Sequence, residues 1–306
     1  MKVLFVYRGF GEKLTNPVVD AQAKSLINSG VNIEKFPISS GGFGYIKAYF
    51  KLKRHLSNNT YDIVHGHYSY SAIIASLANK GKTIGSLMVG DIDLQNSFLK
   101  WLGLFFSRKK WSSTIVKSRL MQKSAPHAVV IPNGVNFKIF RPIDKNEAKA
   151  KVGFNNKYHA IFVAQQPEKH KWKNLDLAKE AISLIKDEAV SLKIVNNVTQ
   201  KELSLYYSAA DLLLVTSSLE GSPNVVKEAM ACNCPIVSTD IADIKEVIGK
   251  TKGCYLTNFD PENISDKIKM VLKNGERTSG REDIRWLSSD SIAKRVINLY
   301  DGVLES

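Results

Sequence analysis

The sequence predicts an α/β protein built from two βα domains. Near-continuous apolar runs such as Val3–Val6, Ile161–Ala164 and Leu212–Val215 alternate with helical stretches, as buried parallel strands and crossover helices do. The length of 306 residues suffices for two domains of ordinary size. Pro132 and Pro142, with Asn133-Gly134 near the first, break regular structure between the halves. The expected domains are residues 1–134 and 135–288, followed by a helix over 289–306 that returns toward the first.

In order, Lys2–Tyr7 is a strand that leaves through Arg8-Gly9-Phe10-Gly11, where glycine admits a ligand close to the backbone. Pro17–Leu26 fits a helix ending before Gly30, and Asn32–Ile38 a strand. Tyr45–Leu56 reads as a basic amphipathic helix carrying Lys47, Lys51, Lys53 and Arg54. The strand in Tyr61–Tyr68 places His65 and His67 on one side by alternation. Lys82–Val89, Thr114–Val116 and Ala128–Ile131 extend this sheet. In the second half, His159–Ala164, Ser191–Val195, Asp211–Val215 and Pro235–Ser238 read as strands. Asn174–Lys186, the stretch capped at Asn197-Val198-Thr199 and running to Ser208, Ile241–Ile248 and Ile264–Leu272 read as helices. Ser289–Leu304 spaces Ile292, Val296, Leu299 and Val303 as a closing helix.

Charge is divided unevenly. Residues 1–140 hold 19 Lys+Arg against 6 Asp+Glu, a net of +13, while residues 141–306 hold 24 against 23, a net of +1. A one-sided basic domain calls for a polyanionic neighbour. Residues 97–111 mix Phe98, Trp101, Phe105 and Phe106 with Lys100, Arg108, Lys109 and Lys110, a composition suited to an interfacial helix on an anionic bilayer. No nucleic-acid motif accompanies the basic half, so nucleic acid is not an expected partner. No apolar run reaches membrane-spanning length, and the amino terminus does not read as a signal peptide. Three cysteines, Cys232, Cys234 and Cys254, fit reduced thiols and a cytoplasmic protein. No metal site is expected from them.

The stretch from Thr216 to Ala231 carries the chemistry. A strand enters a small-residue turn, with Ser222 as expected N-cap and Pro223 at the first helical position. Free N–H groups and the dipole at such a helix start suit a phosphate. Glu220 precedes the helix and Glu228 lies within it, where a carboxylate can accept from ribose hydroxyls.

Glu220-Gly-Ser-Pro-Asn-Val-Val-Lys-Glu228, continued by Ala229–Asp240, resembles the E-x7-E signature of retaining family-four glycosyltransferases. Pro132-Asn-Gly-Val-Asn136 and Phe140-Arg-Pro142 resemble that family's interdomain segment. The resemblance implies a GT-B fold: two Rossmann-like domains facing each other across a cleft, with the hinge at 132–142. It implies a donor site made of Gly221, Ser222, Pro223, Asn224, Val225 and Glu228, with Val198 meeting the base and Gly11 near the phosphates. Glu220 would face the sugar, and Lys173 the diphosphate. The family's phosphate-binding arginine is replaced by Gln165 or Gln166, so Lys169 or Lys171 is left to supply that charge. His67 would join Glu220 and Lys173 as a catalytic residue near the donor sugar and the acceptor, and Gly9 and Asp91 fall on the acceptor side. The run Val89-Gly-Asp-Ile-Asp93 carries Val89 where the family has histidine.

The implied reaction moves a sugar from a nucleotide diphosphate, expected to be UDP-linked and metal-free, to an acceptor hydroxyl with retention. The acceptor expected from the basic half is a lipid-linked surface glycan at the inner membrane face. The rival readings are a degenerate GT-B binding module and a nucleotide-sugar epimerase.

Overall fold

The computed structural model describes residues 1–12, 14–39, 42–92, 97–155, 157–186 and 189–306. Asp93, the last residue of the Val89 run, lies outside them. The chain divides into two compact units: Met1–Gly134 with Ser289–Ser306, and Val135–Ser288.

Unit 1 runs β1 (Lys2–Arg8), α1 (Pro17–Asn28), β2 (Asn32–Ile38), α2 (Gly42–Asn58), β3 (Ile63–His67) and α3 (Ser69–Ala78). It continues through β4 (Thr83–Ser86), α4 (Val89–Ile92), α5 (Ser97–Lys109), β5 (Ser113–Val116), α6 (Arg119–Ser124) and β6 (Val129–Val130). The described strands form a parallel sheet in the order β2-β1-β3-β4-β5-β6. Local chemistry sets the helix ends. Asn16 accepts the Val19 N–H ahead of Pro17 at the start of α1, and Gly30 leaves it at φ 90°.

The two faces of this sheet carry different helices. A Cβ on Gly66 would lie 2.2 Å from the Cα of Ala72, so α3 rides directly on β3. Helix α3 also packs against α2 and α5. The closing helix, α14 (Ser289–Glu305), packs against α1. Its Tyr300 is buried, with the hydroxyl 2.6 Å from Nδ1 of His65, and Arg295 donates to the Val130 carbonyl at 2.6 Å.

The strand expected over Lys82–Val89 stops at Ser86, and Val89 opens α4 instead. The Asp91 carboxylate accepts the Met88 N–H at 2.8 Å, which closes a helical turn where the strand would have continued.

Unit 2 runs α7 (Lys145–Val152), β7 (Tyr158–Val163), a 3-10 turn (Lys171–Lys173), α8 (Leu175–Ser183), β8 (Val190–Val195), α9 (Gln200–Ala209) and β9 (Leu212–Val215). Then come α10 (Asn224–Ala231), β10 (Ile236–Thr239), α11 (Ile244–Ile248), β11 (Cys254–Thr257), α12 (Pro261–Asn274) and α13 (Gly280–Asp283). The described strands form a parallel sheet in the order β11-β10-β9-β7-β8. Its core joins Phe162, Leu212, Leu214 and Val237 of the sheet to Leu175, Ala178, Ile264 and Ile268 of α8 and α12. Thr199 and Glu202 form a reciprocal capping box at α9. The segment after Gly134 is held to this unit: Arg281 donates to the carbonyls of Phe137 (2.9 Å), Phe140 (2.7 Å) and Ala231 (3.0 Å). Cys232, Cys234 and Cys254 are free thiols, and burial pushes their pKa values up to about 12, 11 and 12.

Candidate active site

In each unit the strand order reverses once, and ligands of open parallel sheets bind beyond the carboxyl ends of the strands at that reversal. In unit 2 the reversal lies between β7 and β9. The loops leaving these strands are Ala164–Asn174 and Thr216–Pro223, and they are tied together. Ser218 N–H donates to the Trp172 carbonyl (2.7 Å), and the Thr216 hydroxyl donates to the carbonyls of Lys173 (3.0 Å) and Asn174 (2.8 Å). Asn174 holds a left-handed conformation, φ 51°, that turns the chain into α8.

These bonds bring Lys173 to Glu220, and the ammonium pairs directly with Oε1. Both side chains stay partly accessible, at 20% and 17%, so a ligand can reach the pair. Lys169 and Lys171 are exposed on the same loop and form no ion pair among the described residues. Gln165 and Gln166 are also exposed, Gln166 at φ 44°. Val198 lies in the loop after β8, half-buried.

The start of α10 differs from expectation. Pro223 occupies the cap position, the helix begins at Asn224, and no side chain caps it. Ser222 is engaged elsewhere. Its hydroxyl accepts from Nζ of Lys227 at 2.6 Å and donates to Oδ2 of Asp243. Lys227 is wholly buried. Burial pulls its pKa down to about 8, against the opposing fields of Asp243 and Glu228. A buried ammonium needs a compensating anion, and that need draws Ser222 and Asp243 inward. Among the described residues no side chain therefore caps the first-turn N–H groups, which is the condition for anion binding at a helix start. Oδ1 of Asn224 is also buried without a hydrogen-bond partner among the described residues.

Glu228 lies on the next turn. The Tyr207 hydroxyl donates to its Oε2 at 3.1 Å. Burial pushes its pKa up to about 7, moderated by that hydrogen bond and by Lys227. Gly221, Ser222 and Pro223 are buried, whereas Asn224 and Val225 are partly exposed.

In unit 1 the reversal lies between β1 and β3. Gly9 and Gly11 follow β1, and both answer backbone needs. A Cβ on Gly9 would sit 2.4 Å from the Leu14 carbonyl oxygen, and Gly11 holds φ +66°. His65 and His67 stack at 4.3 Å with Phe5 against both rings. His65 bridges Tyr300 and the Ser86 hydroxyl, the latter at 2.8 Å, and burial pushes its pKa down to about 3. His67 is fully buried, with neither ring nitrogen hydrogen-bonded among the described residues. Burial and the neighbouring His65 hold its pKa well below the usual range. It is a neutral ring inside the sheet layer, and does not stand exposed at the strand end.

Asp91 is likewise spent on the scaffold. Its carboxylate takes the N–H (3.0 Å) and hydroxyl (2.6 Å) of Ser69 and the N–H of Met88. It thus caps α3, which has no side-chain cap of its own at Tyr68. Three acceptor positions of the carboxylate are engaged within unit 1, and the side chain is buried, unlike an exposed acceptor-side group. Among the described residues no three His, Cys, Asp or Glu side chains gather as a metal-ligand set.

Sequence reading missed Lys227, Asp243, Tyr207 and Thr216. A trace of the first was present: Lys227 follows Val226 and precedes Ala229 and Met230 within the sheet-facing run of α10.

Comparison with known proteins agrees with the fold and motifs. Residues 189–284 match the model described as glycosyl transferases group 1, and residues 13–92 match glycosyl transferase 4-like. An N,N'-diacetylbacillosaminyl-diphospho-undecaprenol alpha-1,3-N-acetylgalactosaminyltransferase of Campylobacter jejuni is 22% identical, over 94% of this chain and 90% of its own. An uncharacterized glycosyltransferase of Methanocaldococcus jannaschii is 26% identical, over 90% and 84%. Among solved structures, sucrose-phosphate synthase from Thermosynechococcus elongatus superposes at TM-score 0.81 with 16% identity, covering 99% of each chain. HepE of Anabaena in complex with UDP superposes at 0.80 with 13% identity, covering 99% of this chain and 100% of that one.

The chain is a glycosyltransferase of the GT-B fold, group 1 in its carboxy-terminal part and 4-like in its amino-terminal part. Its work is therefore sugar transfer.

Proposed function

We propose that the chain transfers a sugar from a UDP-linked donor to a hydroxyl of a lipid-linked glycan, with retention of the anomeric configuration. The observation that carries this is the start of α10, uncapped and flanked by the Lys173–Glu220 pair and by Glu228. The donor diphosphate would sit on the first-turn N–H groups. Its arrival would draw Lys173 from Glu220 to the phosphates and leave the carboxylate facing the sugar. Lys169 and Lys171 add charge where the family carries arginine, without arginine's planar fork.

When the bond from the anomeric carbon to the diphosphate oxygen breaks, negative charge develops on that oxygen. Lys173 and the helix start stabilise it, while Glu220 stabilises positive charge on the sugar ring. The acceptor oxygen bonds to the same face of the anomeric carbon, and its proton passes to the departing phosphate. Glu228 would hold the ribose. Support for the UDP donor comes from HepE, solved with UDP and with UDP-glucose. Support for the lipid-linked acceptor comes from the diphospho-undecaprenol substrate in the Campylobacter relative's name.

A thermal-shift panel of nucleotide sugars tests the donor, because a ligand of the folded state raises Tm. The expected outcome is stabilisation by one UDP-sugar, lost in Glu228→Ala. Donor binding without transfer to any acceptor would favour a degenerate binding module. Formation of an epimer from donor alone would favour the epimerase.

A further inference from the structure

Two helices of unit 1, both packed on α3, carry the same unusual surface pattern. Phe98, Trp101 and Phe105 stand 63%, 56% and 40% exposed along α5. Their rings form a continuous stack, with centroids 5.9 Å apart for Phe98–Trp101 and 5.5 Å for Trp101–Phe105. At about 100° per residue, these three and Arg108 and Lys109 fall within one arc of roughly a quarter-turn. The rest of the helix is turned toward the core, where Leu102, Leu104 and Phe106 pack around Leu87, Trp111 and Val116.

Helix α2 repeats the pattern. Ile46 and Phe50 are 59% and 65% exposed, and Lys53 and Arg54 fall in the same arc. Lys47 and Lys51 stand on its flank, while Ala48 and Leu52 face the core. Both helices pack against α3. Neither α2 nor α5 contains an acidic residue. Scattered exposed apolar residues need no explanation, but apolar stripes on the two helices that flank α3, each ending in cations, do.

We infer that the α2–α5 face of unit 1 is a docking surface for an anionic lipid bilayer. Aromatic rings of this size seat at the depth of the headgroups, and lysine and arginine beside them meet lipid phosphates. The absence of any carboxylate on either helix removes the repulsion that an anionic surface would otherwise meet. The inference rests on the proposed lipid-linked acceptor for its purpose, since docking would hold unit 1 beside an acceptor confined to the membrane. Its geometry and its test are independent of that reading.

The test is sedimentation of the full chain with neutral phosphatidylcholine vesicles and with phosphatidylglycerol-rich vesicles, without donor or acceptor. Selective capture by the anionic vesicles is expected, weakening as salt is raised. Trp101→Ser should weaken capture about ten-fold, and Lys53→Gln with Lys109→Gln about five-fold for each charge removed. All these variants should keep the parent's Tm, and its transfer rate to a water-soluble acceptor. Equal capture by both vesicles, or capture indifferent to Trp101→Ser, would overturn the inference. Trp101-dependent dimerisation in ultracentrifugation without vesicle binding would assign the face to a second copy, and salt-sensitive binding of duplex DNA without vesicle binding would assign it to nucleic acid; either overturns it. Loss of transfer to lipid-linked acceptors with vesicle binding intact would count against the acceptor reading alone.

Discussion

The two strand-order reversals have the same sheet geometry and are furnished in opposite ways. At β7/β9, charged groups meet in pairs: Lys173 with Glu220 within a ligand's reach, and Lys227 with Asp243 through Ser222 beneath it. At β1/β3, Asp91 and His65 are absorbed by the scaffold, and His67 is buried away from solvent. Asp91 caps α3, His65 ties the sheet to α14, and His67 is a neutral buried ring. A parallel sheet supplies a crevice wherever its order reverses. Chemistry requires side chains that the fold itself does not consume.

The largest effect expected from breaking this contrast is at Lys227. Lys227→Met leaves Asp243 as an uncompensated buried carboxylate, and should cost about 3–5 kcal/mol in urea unfolding. Adding Asp243→Leu should recover most of it, whereas no recovery in the double variant would mean that the ammonium is not what holds Asp243. Next comes the accessible pair. Lys173→Ala and Glu220→Gln should each lower kcat by about 100-fold or more, with Tm nearly unchanged because both partners reach solvent.

Glu228 sharpens the comparison through pH. Its folded pKa of about 7 lies above the ordinary value of 4.5. Between those values the folded state binds more protons than the unfolded state, so stability falls as pH rises through this window, by roughly 1–3 kcal/mol. Lys227, depressed from 10.5 to about 8, acts in reverse: the unfolded state binds more protons between 8 and 10.5, and stability rises there. The pair should leave a shallow minimum near pH 7–8. Glu228→Gln should flatten the acid side of that profile, and an unchanged slope would deny the shift. The smallest effect is expected at Asp91. Asp91→Asn should lower stability by about 1–2 kcal/mol through lost charge-assisted hydrogen bonds, with kcat per folded molecule unchanged. A large drop in kcat would return Asp91 to the reaction.

Much of this was legible locally. Asn32–Ile38 is a strand at the expected bounds, and Thr199 caps α9 as its motif with Glu202 requires. The α7 helix was overlooked although Asp144 caps its start and Gly153 its end, and the short β11 was missed for want of an apolar run. Ser222 was read as a cap because Ser before Pro is a sound local signal. That reading failed because a lysine five residues on is buried at the same place.

Alone, the sequence determined the alternation of strands and helices, the carboxylates on either side of the α10 turn, and the concentration of positive charge in the first half. These depend on periodicity, spacing and composition, which are local or additive. Only tertiary structure decided that Lys173 meets Glu220 across 47 residues, that Ser222 serves Lys227, that His67 is sealed inside and that Asp91 works as a cap. Each depends on which groups burial leaves without water, and burial is a property of the packed layers.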